Sequence, residues 1–104
     1  MFKLFNNSTK DIYANELDGI IGSTELIDIR EPYEFKTGNI SIAKNIPMGI
    51  LLSSPDKYLD KSKKYYIICQ SGGRSKHASG VLAKSGYDVI NVAGGMSLYS
   101  RTRS

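Results

Sequence analysis

The run Tyr65-Tyr-Ile-Ile-Cys69 constrains the fold more than any other part of this sequence. An almost wholly apolar stretch without polar alternation does not suit a sheet with one face in water. It reads as a strand covered on both faces, which requires a parallel sheet with helices packed around it. Further runs supply the rest of such a sheet: Thr24–Ile29, Val89–Val92 stopped by Gly94-Gly95, the weaker Ala43–Ile46 ended by Pro47, and an edge strand near Asp11–Tyr13. Helical segments lie between them. Ser75–Ser85 carries Ala78, Val81 and Leu82 at helical spacing, with Gly86 as a C-cap. Gly80 inside it costs about 1 kcal/mol relative to alanine, which implies close helix–sheet packing there. Glu31–Lys36 begins with acid, holds Pro32 in its first turn and stops at Gly38. Ile50–Leu59 is a third helix that Pro55 interrupts or restarts. Strands and helices alternating in this way give an α/β fold with an open sheet.

At 104 residues, without an internal repeat or a linker-like run, the chain reads as a single domain over 1–104. Its one cysteine and one histidine exclude an intramolecular disulfide framework and a multi-thiolate metal site, so neither metal nor cofactor is expected. Lys and Arg exceed Asp and Glu by 14 to 10. The excess is spread along the chain, apart from Lys57, Lys61, Lys63, Lys64 and the Arg101, Arg103 tail. Without a basic stripe and a reading element, nucleic-acid binding is not expected, and the surface suits small anions instead. The longest uncharged stretches, Ile46–Pro55 and Val89–Ser100, are too short and too punctuated to cross a bilayer. Met1–Lys10 lacks the pattern of a signal peptide, so a soluble cytoplasmic protein is the expectation. Phe2, Leu4 and Phe5 either pack on the domain or form a sticky arm.

In open α/β sheets, ligands sit beyond the carboxyl ends of the strands. Cys69 ends the most buried strand, and Gln70-Ser71-Gly72-Gly73-Arg74 follows before the Ser75 helix. Gly72 and Gly73 permit a tight curl. Its inward N–H groups then form an anion nest, reinforced by the positive end of the helix. Arg74 locks this loop through its planar donor fork or meets an anionic substrate. A thiol at such a convergence is expected below its free pKa of about 8.5 and is therefore nucleophilic, exposed at the base of a shallow bowl. Only His77 is available as an imidazole base. Ser–His–Asp and papain-like chemistry accordingly do not fit, whereas transfer of sulfur to a cysteine that is already a thiolate needs no base, nor in outline does its attack on a phosphoester.

Cys69-Gln-Ser-Gly-Gly-Arg-Ser75 resembles the active-site loop of the rhodanese family of single-domain sulfurtransferases. The resemblance extends to Leu26–Glu31, Glu34-Phe35, Gly38–Pro47 and Gly86–Gly95, covering roughly residues 24 to 99 within a recognisable core of about 11–99. It implies a five-stranded parallel sheet flanked by helices, with the loop joining the fourth strand to the next helix. It also implies that Cys69 takes a sulfane sulfur from thiosulfate or another small anionic donor and passes it to cyanide, a thiol or a sulfur-trafficking protein. The amides of Gln70, Ser71, Gly72, Gly73 and Arg74, with Ser75, then cradle the persulfide.

Related phosphatases of the cell-cycle type have one more residue between cysteine and arginine, for a tetrahedral oxyanion; here four intervene. Asp28, Arg30 and Glu34 match the family's charged cluster. Arg30 faces the pocket to attract a dianionic donor or joins Asp28 and Glu34 in an ion-paired turn. Gly94-Gly95 forms a pocket wall or a tight turn, and Met96, Leu98 and Tyr99 pack at core or rim. The chain departs from the family at Asn39, where histidine is usual, and at Tyr99, where tryptophan is usual. The rival to a turning-over enzyme is a sulfur-carrier or interaction module with little free-substrate turnover.

Overall fold

The computed structural model describes residues 10–20 and 24–101. Phe2, Leu4, Phe5 and Arg103 lie outside the described residues. Five strands form one parallel sheet: β1 (Asp11–Tyr13), β2 (Glu25–Asp28), β3 (Lys44–Asn45), β4 (Lys64–Ile68) and β5 (Asp88–Ala93), in the order β1-β5-β4-β2-β3. Four α-helices accompany them, α1 (Pro32–Thr37), α2 (Met48–Ser53), α3 (Gly73–Lys84) and α4 (Gly95–Arg101), with short 3-10 turns at Ala14–Gly19 and Pro55–Lys57.

β4 lies at the centre, and its alternate side chains build two cores. Tyr65 and Ile67 pack with Ile27, Ile29, Leu51, Ala78 and Leu82, under α2 and α3. Ile68, with Tyr66 against it, packs with Ala14, Leu17, Leu26, Val92 and Met96, under the first 3-10 turn and α4. Each fully buried aliphatic side chain contributes about 1.5–3 kcal/mol, so the apolar β4 run holds both layers together. The α/β reading with helices on both faces is the observed architecture.

The helix boundaries have local causes. Pro32 occupies the start of α1, where its missing N–H costs nothing, and Glu31 and Glu34 form a reciprocal capping box. Pro55 does interrupt the third expected helix, splitting it into α2 and the 3-10 turn. The segment after Gly94 is a helix, α4, whose Met96 lies in the core with Leu98 and Tyr99 packed against it, as expected of these three residues. One expectation needs correction. Gly80 does not mark close packing, because a Cβ there would meet nothing within 4 Å. Among the described residues no helix is long and apolar enough to cross a membrane.

The chain leaves β2 toward β3 on one side of the sheet and leaves β4 toward β5 on the other. The crevice beyond the carboxyl ends of β2 and β4 is thus a topological switch point, the usual ligand position in such sheets. The segments entering it are Ile29–Glu31 and Cys69–Gly72.

Candidate active site

β4 closes at Ile68, one residue earlier than expected, so Cys69 is the first residue beyond the strand. Gly72 adopts a left-handed φ of +106° as the N-cap of α3, and the loop turns there straight into the helix. Arg74 consequently lies in the first turn of α3 rather than in the loop. At that end of the helix the N–H groups of Gly72 and Ser75 meet the sulfur. Cys69 Sγ accepts from the Gly72 N–H at 3.2 Å and the Ser75 N–H at 3.3 Å, and it lies 3.4 Å from Ser75 Oγ. Burial pushes the thiol pKa up. The Ser75 hydroxyl and the N–H groups of Ser75, Gly72 and Ser71 outweigh it and hold the thiol below its ordinary range. Of the cradle expected from Gln70 to Arg74, the Ser71 and Gly72 amides face the sulfur, joined by Ser75 beyond it.

The expected exposed thiol is not found. Cys69 has 0% exposure, because the loop closes over its own sulfur and Ser75 fills the remaining side. Sγ is therefore reached from solvent only when the loop parts.

The loop carbonyls are claimed from outside. The Met96 N–H donates to the Cys69 carbonyl and the Ser97 N–H to the Gln70 carbonyl, each at 2.9 Å. These are first-turn donors of α4, which have no partner within their own helix. With its oxygens turned toward α4, the loop has its Gly72 amide free to meet the sulfur. The Gly94-Gly95 turn makes this approach possible, and it stands directly against the loop.

Arg30 is 2% exposed, and its guanidinium is fully engaged within the protein. Nε and Nη2 bind the Asp28 carboxylate at 2.9–3.1 Å, and Nη2 also donates to the Gly38 carbonyl at 2.8 Å. Nη1 donates to the Glu34 carbonyl at 3.2 Å and to Gln70 Oε1 at 3.1 Å. Asn45 Nδ2 bridges the Asp28 and Arg30 carbonyls, fixing the corner at the end of β2. Arg30 does border the crevice, but in this conformation it has no uncommitted N–H for an anionic donor.

Arg74 makes a two-pronged ion pair with Glu34, at 2.8 and 2.9 Å, tying the start of α3 to α1. Foremost through that hydrogen bond, and against a smaller opposing effect of burial, the Glu34 carboxyl falls from its ordinary 4.5 to about 2. A carboxyl depressed on folding stabilises the native state above its unfolded pKa, and the contribution disappears as pH falls through the folded value. Wild type is therefore expected to exceed Arg74→Ala by about 0.5–1 kcal/mol at neutral pH. Urea titrations from neutral to acid pH should show that difference steady above 4.5 and vanishing toward 2. A difference independent of pH would contradict the assignment.

A cavity of about 400 Å³ opens beside the loop, lined among others by Arg30, Gly38, Asn39, Gln70, Met96 and Tyr99. Tyr99 thus stands at the rim, and its hydroxyl reaches Asp18 Oδ1 at 3.3 Å. Asn39 Nδ2 donates to the Phe35 carbonyl at the end of α1 and so caps that turn. His77 lies elsewhere, exposed on the outer side of α3 in a groove with Lys76 and Lys84. Sequence reasoning missed Asn91, a buried amide in the middle of β5 that contacts Ser75, and Asp11, which contacts that amide in turn. The available signal was a polar residue inside the apolar run Val89–Val92.

The model of the Rhodanese-like domain matches residues 13–102. "Putative sulfurtransferase YtwF" of Bacillus subtilis is 44% identical over 73 residues, which cover 68% of each chain. "Putative sulfur carrier protein YrkF" of the same organism is 36% identical, over 71% of this chain and 40% of its own. Among solved structures, a rhodanese-related protein from Thermoplasma volcanium superposes with a TM-score of 0.82 at 33% identity, covering 90% of this chain and 93% of that one.

Proposed function

The chain belongs to the rhodanese-like domain family, and on that premise we propose that Cys69 carries a sulfane sulfur from thiosulfate or a persulfide donor to cyanide or a thiol. In the first half-reaction the Cys69 thiolate attacks the outer sulfur of thiosulfate. A new S–S bond forms at Sγ, the donor's own S–S bond breaks, and sulfite leaves with the electron pair. In the second, cyanide or a thiolate attacks the outer sulfur of the persulfide, and Cys69 departs again as a thiolate. Neither step needs a general base at the nucleophile.

The observation that carries this reading is the convergence of backbone N–H groups on Sγ at the start of α3, with the thiol held below its ordinary pKa. Donors preorganised around an anion stabilise both the attacking thiolate and the charge on the persulfide. Arg74 lies within electrostatic reach of Cys69 and, through its ion pair with Glu34, keeps the first turn of α3 in place. Loading requires the Gln70–Gly73 segment to open, and Ser71 at its exposed tip is where a donor meets it first.

Intact mass after incubation with thiosulfate tests the proposal. Wild type is expected to gain one sulfur atom and to lose it on addition of cyanide, while Cys69→Ser stays unchanged. Absence of any gain in wild type would end this reading. A second reading, a sulfur carrier discharging to a partner protein, is favoured by the burial of Cys69, since a docked partner can hold the loop open for transfer. Loaded protein that resists cyanide yet discharges to a protein thiol would select the carrier.

A further inference from the structure

The Ser75 hydroxyl has one proton and several acceptors within reach. Asn91 Oδ1 lies at 2.5 Å, the Gly72 carbonyl at 3.1 Å and Cys69 Sγ at 3.4 Å. The shortest distance gives the proton to Asn91. While the thiol is protonated, Ser75 Oγ acts toward the sulfur only as an acceptor, and it stabilises the thiolate by turning its proton from Asn91 to Sγ. Asn91 is 2% exposed and enters from β5, so its amide has no water to exchange with. Asp11, on the neighbouring strand β1, decides which end of that amide meets Ser75. A carboxylate only accepts, and Asp11 Oδ1 takes the Nδ2–H of Asn91 at 2.9 Å, leaving Oδ1 of Asn91 for the serine.

We propose that Asp11 and Asn91 are positioning residues that set the direction of the Ser75 hydroxyl and, through it, the balance between thiol and thiolate at Cys69. This rests on reading Cys69 as the reactive sulfur. When the proton leaves Sγ for solvent, the serine hydroxyl turns from Asn91 to the sulfur anion. That turn leaves Asn91 Oδ1 buried without a donor, a cost that opposes ionisation. The chain has no second cysteine with which to protect an oxidised sulfur, so a restraint on the resting thiolate limits its loss to oxidation.

The charged groups around the site are Arg74 with Glu34, from α3 and α1, Arg30 with Asp28 beyond Gln70, and Asp11 with Lys76 Nζ at 3.7 Å. Asn91→Leu changes none of these charges; it removes the competing acceptor together with the Nδ2–H that the solvent-accessible Asp11 carboxylate accepts. The Cys69 pKa is read from ultraviolet thiolate absorbance as the difference between each variant and its Cys69→Ser counterpart, which cancels the tyrosines. Asn91→Leu is expected to lower that pKa by about one unit, and Ser75→Ala to raise it. With Ser75→Ala already present, Asn91→Leu is expected to add no further shift. An unchanged or raised pKa in Asn91→Leu, or a fall that persists without the serine hydroxyl, would overturn the proposal. Asp11→Asn, on the exposed edge strand, serves where Asn91→Leu does not fold. It frees the amide to turn, and a fall of about half a unit is expected that again depends on Ser75. Because the titration needs no sulfur donor, failure to load thiosulfate and failure of this proposal are read separately.

Discussion

Arg30→Leu is expected to lower the free energy of unfolding by about 3–5 kcal/mol, and the melting temperature by about 15–30 °C. The loss does not come mainly from the missing attraction. Asp28 is 0% exposed, and without the guanidinium its carboxylate keeps only the Arg30 backbone N–H at 3.0 Å. A buried charge with one donor is costly, because the protein no longer replaces the water that folding removed. The same substitution takes the guanidinium donors from the Gly38 and Glu34 carbonyls and from Gln70 Oε1, and so loosens α1 and the reactive loop together. Asp28→Asn in the Arg30→Leu background removes the stranded charge while keeping an acceptor for that backbone N–H. It should restore at least about 2 kcal/mol, measured by urea denaturation. A single variant within about 1 kcal/mol of wild type, or a double variant no better than the single, would show that the pair is not what holds this corner. The double variant also isolates any part Arg30 plays with an anionic donor, since it is expected to stay folded while lacking the guanidinium.

Arg30 illustrates where sequence reasoning stops. Its place at the end of β2 was readable, because Leu26-Ile-Asp-Ile ends at a charged cluster where parallel strands deliver ligands. Whether its donors face outward depends on Gly38 and Gln70, which are distant in sequence and arrive only through the fold. β4 was legible because a run apolar on both faces has few alternatives, and α1 because Pro32 and Gly38 bound it chemically. α4 was not legible. Its seven residues begin on the second of two glycines, carry only Met96, Leu98 and Tyr99 as apolar groups, and gain their order from contact with the 3-10 turn at Ala14–Gly19 and with the loop. The nest at Cys69 followed from the glycines and the helix after them. The closure of that nest over the thiol did not, because it depends on Ser75 being drawn toward a β5 side chain.

Gly95→Ala is expected to cost about 3 kcal/mol and about 15 °C in melting temperature, and to impair the site more than its chemistry suggests. A Cβ at this position would overlap the Cys69 carbonyl oxygen and stand 2.7 Å from the Gln70 carbonyl oxygen. Both are backbone atoms, so no side chain can swing aside, and the φ of +56° adds strain for a non-glycine residue. Relief requires α4 and the loop to separate. That breaks the Met96 and Ser97 N–H bonds that hold the loop carbonyls outward. Once those oxygens are free to turn, the amides at Sγ lose their alignment, and the thiol pKa should rise toward its ordinary value as sulfur loading slows. Gly73→Ala is the matched control. It adds the same methyl group to the same region, but its Cβ would meet nothing within 4 Å, and it should stay within about 0.5 kcal/mol of wild type. If the two alanine variants proved equally stable, with the Cys69 titration unchanged in both, the tight approach of α4 would not be what presents the loop amides to the sulfur.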